Sequence, residues 1–157
     1  VDTIETPLLT LVPLRPEHAG EMAEVLSDPA LHTFTGGAPL TAPELRASYE
    51  RLVAGPPGWR NWVIRVRADD RPAGYVQATV EGCTAEVAWV VGTPWQGRGL
   101  ATAAAKALVE RLLDDGIGTV VAHIHPAHAA SAAVARAAGL RPTERWQDGE
   151  VRWERTT

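Results

Sequence analysis

Apolar residues recur along this chain with two spacings, and the change from one to the other organises it. Leu8 to Leu14 is a short apolar run broken by Pro13, which suits an edge or terminal strand because proline donates nothing to a ladder. From Pro16 the spacing becomes helical. Ala19, Met22, Ala23 and Leu26 share a face, Pro16 fits the first helical position, Glu17 favours the positive end of the dipole, and Ser27-Asp28-Pro29 stops the helix. Leu31 to Ala38, with Thr33, Phe34, Thr35 and the pair Gly36-Gly37, reads as a loop carrying an aromatic residue. A second helix opens on the capping box Thr41-x-x-Glu44, places Leu45, Tyr49 and Leu52 on one stripe, and ends at Gly55-Pro56-Pro57-Gly58.

Beyond that break the period is two. Trp62, Ile64 and Val66 alternate with Val63, Arg65 and Arg67, which predicts a half-exposed strand. Turns at Ala68 to Pro72 and Glu81-Gly82-Cys83 lead into strands over Ala73 to Val80 and Thr84 to Val91, so the three form an antiparallel meander. The last delivers the chain to Gln96-Gly97-Arg98-Gly99-Leu100-Ala101 and then to an alanine-rich amphipathic helix from Thr102 to Asp115. That helix buries Ala101, Ala104, Ala105, Leu108 and Leu112, exposes Lys106 and Glu110 as an i,i+4 pair, and caps on Gly116. Thr119 to Ile124 is a strand that returns parallel to Thr84–Val91 through the crossover helix. Ala129 to Ala138 is a further helix ended by Gly139, and a hairpin of Pro142 to Trp146 and Glu150 to Arg155 turns on Asp148-Gly149.

Composition narrows the function classes. At 157 residues the chain is expected to form one domain over 1–157, long enough to bury a core without staples. The single Cys83 permits no internal disulfide, and the absence of a signal-peptide or membrane-length apolar run makes a soluble cytoplasmic protein with no membrane partner the expectation. A net charge of −4 argues against nucleic acid as a partner and is compatible with a cationic substrate.

The stretch that carries chemistry is strand, glycine loop, helix. Such a junction offers unpaired backbone N–H groups and a positive dipole end to one point, a ready site for a phosphate or pyrophosphate. Gly97 and Gly99 let the backbone approach an anion, and Arg98 can add a charge-assisted contact. Glycine at a strand-to-helix turn also serves packing alone. The dinucleotide spacing Gly-x-Gly-x-x-Gly fails at Thr102, and no Gly-x-x-x-x-Gly-Lys-Ser/Thr loop exists. Gln-x-x-Gly-x-Ala instead resembles the acyl-CoA pyrophosphate loop of the GNAT superfamily, the Gcn5-related N-acetyltransferases. The order of elements from Leu8 to Arg155 resembles that fold. Leu14-Arg15-Pro16 with its helix, and Ser131-x-x-Val134-x-x-x-x-Gly139-Leu140, resemble the RimJ/RimL-like branch.

The resemblance implies an α/β (α+β) fold: a mixed, mostly antiparallel sheet of roughly six or seven strands with a splayed parallel pair, and about four helices. It implies an acetyl-CoA site in which pantetheine pairs with the main chain of Trp89 and Val91, while Gln96, Gly97, Arg98, Gly99, Leu100, Ala101 and Thr102 hold the pyrophosphate. His128 stands where the family usually has Asn, and imidazole can make a similar hydrogen bond to the cofactor. The Tyr that many relatives use to protonate the departing thiolate falls at Ala135; in the RimJ/RimL-like branch a Ser takes that neighbourhood, which Ser131 fits.

Acetyl transfer to an amine requires removal of a proton from the ammonium and stabilisation of the oxyanion and thiolate. Glu86, His123, His125 and His128 are the candidate bases. His123 matches the position of a Glu base in RimI-type relatives, and imidazole titrates in the useful range. Structural alternatives stand beside each: a solvated or salt-bridged Glu86, a hydrogen-bonded His123, a surface His125. The three histidines could also be read as a metal site, but no nearby carboxylate or Cys completes the set, so no metal is expected. Trp62, Trp89 and Trp153 sit at core-like strand positions, while Trp59, Trp95 and Trp146 lie near breaks, where one could line a substrate pocket.

The expected function is an N-acetyltransferase moving acetyl from acetyl-CoA to a primary amine (a protein N-terminus, an antibiotic or a small metabolite) by direct attack in a ternary complex. Acceptor choice is expected from Leu31 to Arg60, where Glu44 and Glu50, with Asp28 just before, offer negative charge or equally face solvent, and from the terminal hairpin. The alternatives are a non-catalytic acyl-CoA-binding module, motivated by Ala135 and His128, and a nucleotide-binding domain using the same loop. Exposed strand edges leave a homodimer possible.

Overall fold

The period-two runs form strands β2 (Leu9–Pro13), β3 (Trp59–Val66), β4 (Arg71–Glu81), β5 (Thr84–Val91), β6 (Thr119–Ile124), β7 (Arg141–Gln147) and β8 (Glu150–Thr156). The computed structural model describes residues 2–34 and 36–157; Thr35, part of the expected loop, lies outside the described residues. A further strand, β1 (Ile4–Glu5), brings the sheet to eight strands rather than six or seven. Two residues are too few to show a period, and Ile4 is placed by burial against the core rather than by a sequence signal.

The strand order is β1-β2-β3-β4-β5-β6-β8-β7, with β5 and β6 parallel and every other neighbouring pair antiparallel. One sheet face packs on α3 (Leu100–Asp114) and α4 (Ala129–Ala137). Ile64, Val76, Val87, Val120 and Ala122 meet Leu108, Leu112 and Ala135 in the larger core. The other face is covered beside β3 by α1 (Ala19–Val25) and α2 (Ala42–Val53), where Met22, Leu45 and Tyr49 close over Val63. Val63 is therefore buried, where alternation alone predicts a half-exposed strand. Helices on both faces remove the solvent side that the pattern assumes. Among the described residues no helix is long and apolar enough to cross a membrane.

Local chemistry sets most boundaries as the sequence suggests. Pro16–His18 forms a short 3-10 turn ahead of α1, Thr41 and Glu44 cap α2 reciprocally, and Asp148 and Gly149 turn the last hairpin with φ of 50° and 81°. α3 begins at Leu100, two residues before the expected start. Glu110 accepts from Arg155 Nη1 at 2.7 Å instead of pairing with Lys106, because β8 brings the guanidinium within reach of the helix.

Two details shape the sheet at the far end of β5, beyond the point where the parallel strands part. The β3–β4 register shifts between Ile64 and Arg65, leaving Ala73 as an extra residue, and such a bulge increases local twist. Beside it Gly74 pairs with Val91, and a Cβ there would come within 2.0 Å of the Val90 carbonyl oxygen. Only glycine permits so close an approach.

Candidate active site

Strands β5 and β6 pair for three residues and then separate. The register runs Thr84↔Thr119, Ala85↔Val120 and Glu86↔Val121, with no partners beyond. Val87 to Val91 and Ala122 to Ile124 thus face each other across a gap with half of their edge N–H and C=O groups outside any ladder. A cleft of about 970 Å³ occupies this wedge. Residues of β5, the turn after it, β6 and the start of α4 line it.

The turn forms one end of the cleft. Thr93–Trp95 makes a 3-10 turn, the Gln96 side-chain amide donates to the Val91 carbonyl at 3.0 Å, and Gly97 and Gly99 follow with φ of 77° and 75°. A Cβ added at either glycine would meet nothing within 4 Å. The requirement for glycine is therefore conformational, and the space beside the loop is open. Gly99 is the N-cap of α3 and makes no side-chain capping bond, so the first-turn N–H groups of Leu100, Ala101 and Thr102 carry no side-chain cap and lie on the cleft wall. An anionic group of pyrophosphate size suits that end, where N–H donors and the α3 dipole converge. Arg98 is exposed and does not line the cleft. The Trp89 side chain packs against the larger core, so any role of Trp89 towards a ligand rests on its main chain.

At the point where the strands part, Glu86 Oε1 and His123 Nδ1 are hydrogen-bonded. Glu86 comes from the last paired position of β5 and His123 from two residues past its partner Val121, so both side chains project from the same sheet face. His123 lines the cleft and is 11% exposed, while Glu86, at 49%, stands behind it. With Nδ1–H donating to the carboxylate, the neutral ring carries its lone pair on Nε2, which has no partner among the described residues. Two residues considered separately in the sequence thus form one unit, 37 positions apart along the chain. Parallel adjacency was readable there, whereas the register that joins them was not.

The opposite lip is aromatic and imidazole-rich. Phe34 stacks on His128 with ring centroids 4.4 Å apart and planes 16° apart, and tilts against His125 at 5.0 Å. His125 Nδ1 accepts from the Ala127 N–H, so its ring belongs to the turn before α4. His128 Nε2 and Ser131 Oγ are 3.4 Å apart at the long limit of a hydrogen bond, and both line the cleft. Burial, and secondarily the charge of His125, hold the His128 pKa below its ordinary value, so this ring is neutral near pH 7. Ala135, at the position where the resemblance implies a Tyr, is fully buried in the core. No group of three or more His, Cys, Asp or Glu among the described residues is arranged to hold a metal ion.

Tyr75 and Gln77 of β4 also line the cleft, and no motif pointed to them. Their signal was the alternation of Tyr75 and Gln77 with buried Val76 and Ala78, which puts them on the face shared with Glu86 and His123. Of the tryptophans near breaks, Trp59, Trp95 and Trp146, Trp95 lines the cleft. The carboxylates expected to charge the acceptor side are engaged elsewhere. Asp28 accepts from the Ala30 N–H and the Thr93 hydroxyl, Glu44 caps α2, and Glu50 lies 3.6 Å from Arg46 on the exposed side of the helix.

The family model described as the acetyltransferase (GNAT) domain matches residues 9–141, which include the glycine loop, Glu86, His123 and Ser131. The chain belongs to the GNAT acetyltransferase family. GNAT domains of this kind are acyltransferases, and the match stops before most of the β7–β8 hairpin. No curated protein matches in sequence. Solved structures share the GNAT fold at low identity. An acetyltransferase of the GNAT family from Bacillus anthracis superposes with a TM-score of 0.83 at 16% identity, covering 99% of this chain and 98% of that one. RimL, a ribosomal L7/L12 α-N-protein acetyltransferase in complex with coenzyme A, gives 0.85 at 18% identity over 99% and 98%. AAC(6')-Ib in complex with paromomycin and acetyl-CoA gives 0.81 at 18% identity over 95% and 93%.

Proposed function

We propose that this GNAT protein transfers the acetyl group of acetyl-CoA to a primary amine by direct attack in a ternary complex. The observation that carries the reading is the Glu86–His123 pair at the apex of a wedge whose far end is an uncapped helix N-terminus. The open edges of β5 and β6 accommodate an extended amide-bearing arm as an added strand would. The first-turn N–H groups of Leu100, Ala101 and Thr102 hold the diphosphate, with Gly97 and Gly99 giving it room.

Glu86 fixes the Nδ1–H tautomer of His123, as the third member of a nucleophile–base–carboxylate set orients its imidazole. His123 Nε2 takes the proton that the ammonium must lose before its nitrogen bonds to the acetyl carbon. The C–N bond forms, the C–S bond breaks, and the sulfur leaves as thiolate. Ser131 Oγ, beside neutral His128, donates its proton to the thiolate and regains one from the nitrogen, which sheds its second proton as the amide forms. The proton held on His123 returns to solvent. No covalent enzyme intermediate is required, and Cys83, exposed in the turn between β4 and β5, takes no part.

Calorimetric titration with acetyl-CoA, with CoA, ATP and NAD as controls, tests the cofactor half of the reading. Micromolar binding selective for CoA species is the expected result, and affinity for ATP or NAD alone overturns it. An amine panel read by thiol release then tests turnover. Binding of acetyl-CoA without thiol release for any amine would mark the protein as an acyl-CoA-binding module.

A further inference from the structure

A second cavity, of about 210 Å³, lies beneath α2 and shares a wall with the cleft, since Tyr75 and Gln77 line both. Leu45, Tyr49 and Leu52 of α2 form its roof, and Trp62 contributes to its floor. At roughly 30 Å³ for each water-sized group, there is room for about seven such groups, the size of an aryl ring on a short linker. No Asp, Glu, Lys or Arg is among its lining residues. The nearby carboxylates are committed elsewhere, so a cationic arm entering this space would find no counter-charge.

One feature of its wall asks for a partner. Tyr49 is 6% exposed and lines the cavity, while its hydroxyl has almost no accessible surface and no hydrogen bond among the described residues, so a group in the cavity meets it when the Tyr49 side chain turns. A buried hydroxyl without a partner is costly in a folded protein, and such groups are rare enough to call for an explanation. We propose that this cavity receives the side chain of the acceptor amine, and that the acceptor is an arylalkylamine with one uncharged hydrogen-bonding substituent that meets Tyr49. The amine then reaches past Tyr75 and Gln77 towards His123. Polyamines and polycationic sugars are disfavoured by the same wall. This inference rests on the acetyltransferase reading and names its substrate class.

The test uses the full chain with acetyl-CoA and three amines: tyramine, phenethylamine and spermidine. Thiol release should give tyramine a kcat/KM about tenfold above phenethylamine, the worth of one neutral hydrogen bond, and at least about a hundredfold above spermidine. Tyr49→Phe should reduce the tyramine-to-phenethylamine ratio from about ten to about one. Ser48→Phe, which fills the cavity from its rim, should abolish use of both arylamines while calorimetric CoA affinity shows the fold intact. Spermidine used as well as tyramine, a ratio unmoved by Tyr49→Phe, or indifference to Ser48→Phe would each overturn the assignment.

A binding arm separates this proposal from the reading beneath it. Saturation-transfer NMR of tyramine on CoA-loaded protein, lost in Ser48→Phe, supports the cavity even if no thiol is released, and in that case the acetyltransferase reading falls. Thiol release with other amines, but no tyramine signal, overturns the cavity and leaves the acetyltransferase reading standing.

Discussion

The two sides of the cleft are built in different ways. On the β5–α3 side the lining residues come from one segment between Val87 and Thr102, a strand edge and a helix start whose main-chain groups have no ladder or side-chain cap on that side. On the α1–α2 side the facing groups are side chains. Phe34 comes from the loop between α1 and α2, Tyr75 and Gln77 from β4, and His123 from β6, with Tyr49 of α2 lining the adjoining cavity. Backbone recognition depends on conformation and tolerates many side chains, whereas side-chain recognition depends on identity and on distant segments meeting. The first suits a ligand that does not vary, and the second an acceptor that can be changed piece by piece.

The largest expected effect removes the base on the side-chain half. His123→Ala should lower kcat by about 10²- to 10⁴-fold, the usual range for general base catalysis, with acetyl-CoA affinity by calorimetry unchanged. A fall in affinity equal to the fall in turnover would mean that the two halves are not separable. Gly99→Val strikes the backbone half. A β-branched residue at φ 75° carries a left-handed penalty of about 1–2 kcal/mol, so acetyl-CoA affinity should drop on the order of tenfold while the amine preference stays as it was. Unchanged affinity would show that the loop conformation does not serve the ligand.

A smaller effect is expected at Ser131, where thiol-side proton donation is shared with solvent. Ser131→Ala should cost about tenfold or less in kcat, read at several pH values; no change at any pH removes the hydroxyl from the mechanism. The smallest effect is on stability. Burial lowers the His128 pKa from its ordinary 6.5, so below about that pH the unfolded chain binds a proton that the folded chain resists. The contribution of this group is fully present well above pH 6.5 and is lost as pH falls through that value towards the folded one. Melting temperatures at pH 7.5 and 5.5 should therefore differ less in His128→Asn than in the parent. His18, shifted in the same direction mainly by its own burial, keeps part of the slope in both.

Some of this architecture was legible because it is local. The capping box Thr41-x-x-Glu44, the turn at Asp148-Gly149 and the strand-loop-helix over Thr84 to Asp115 are each specified by residues within a few positions of one another, and each forms there, with α3 starting two residues early. The β1 strand was not legible, because two residues carry no period. Neither was the engagement of Asp28 with Thr93, 65 positions away, which removes a carboxylate that the sequence seemed to offer to a substrate. Lys106 and Glu110 had the spacing for a helical pair, but Arg155 from β8 competes for the carboxylate.

By itself, then, the sequence determined the element order, the glycine loop and its place at the head of a helix, since propensity, capping and φ requirements act along the chain. It also set out Glu86, His123 and Ser131 as polar residues at useful places. Only the tertiary structure decided that β5 and β6 part after Glu86↔Val121, that Glu86 reaches His123, and that Tyr75 and Gln77 stand between two cavities. Register and cavity shape are set by long-range packing of both sheet faces against helices, and a one-residue change in either would leave every local signal in this sequence intact.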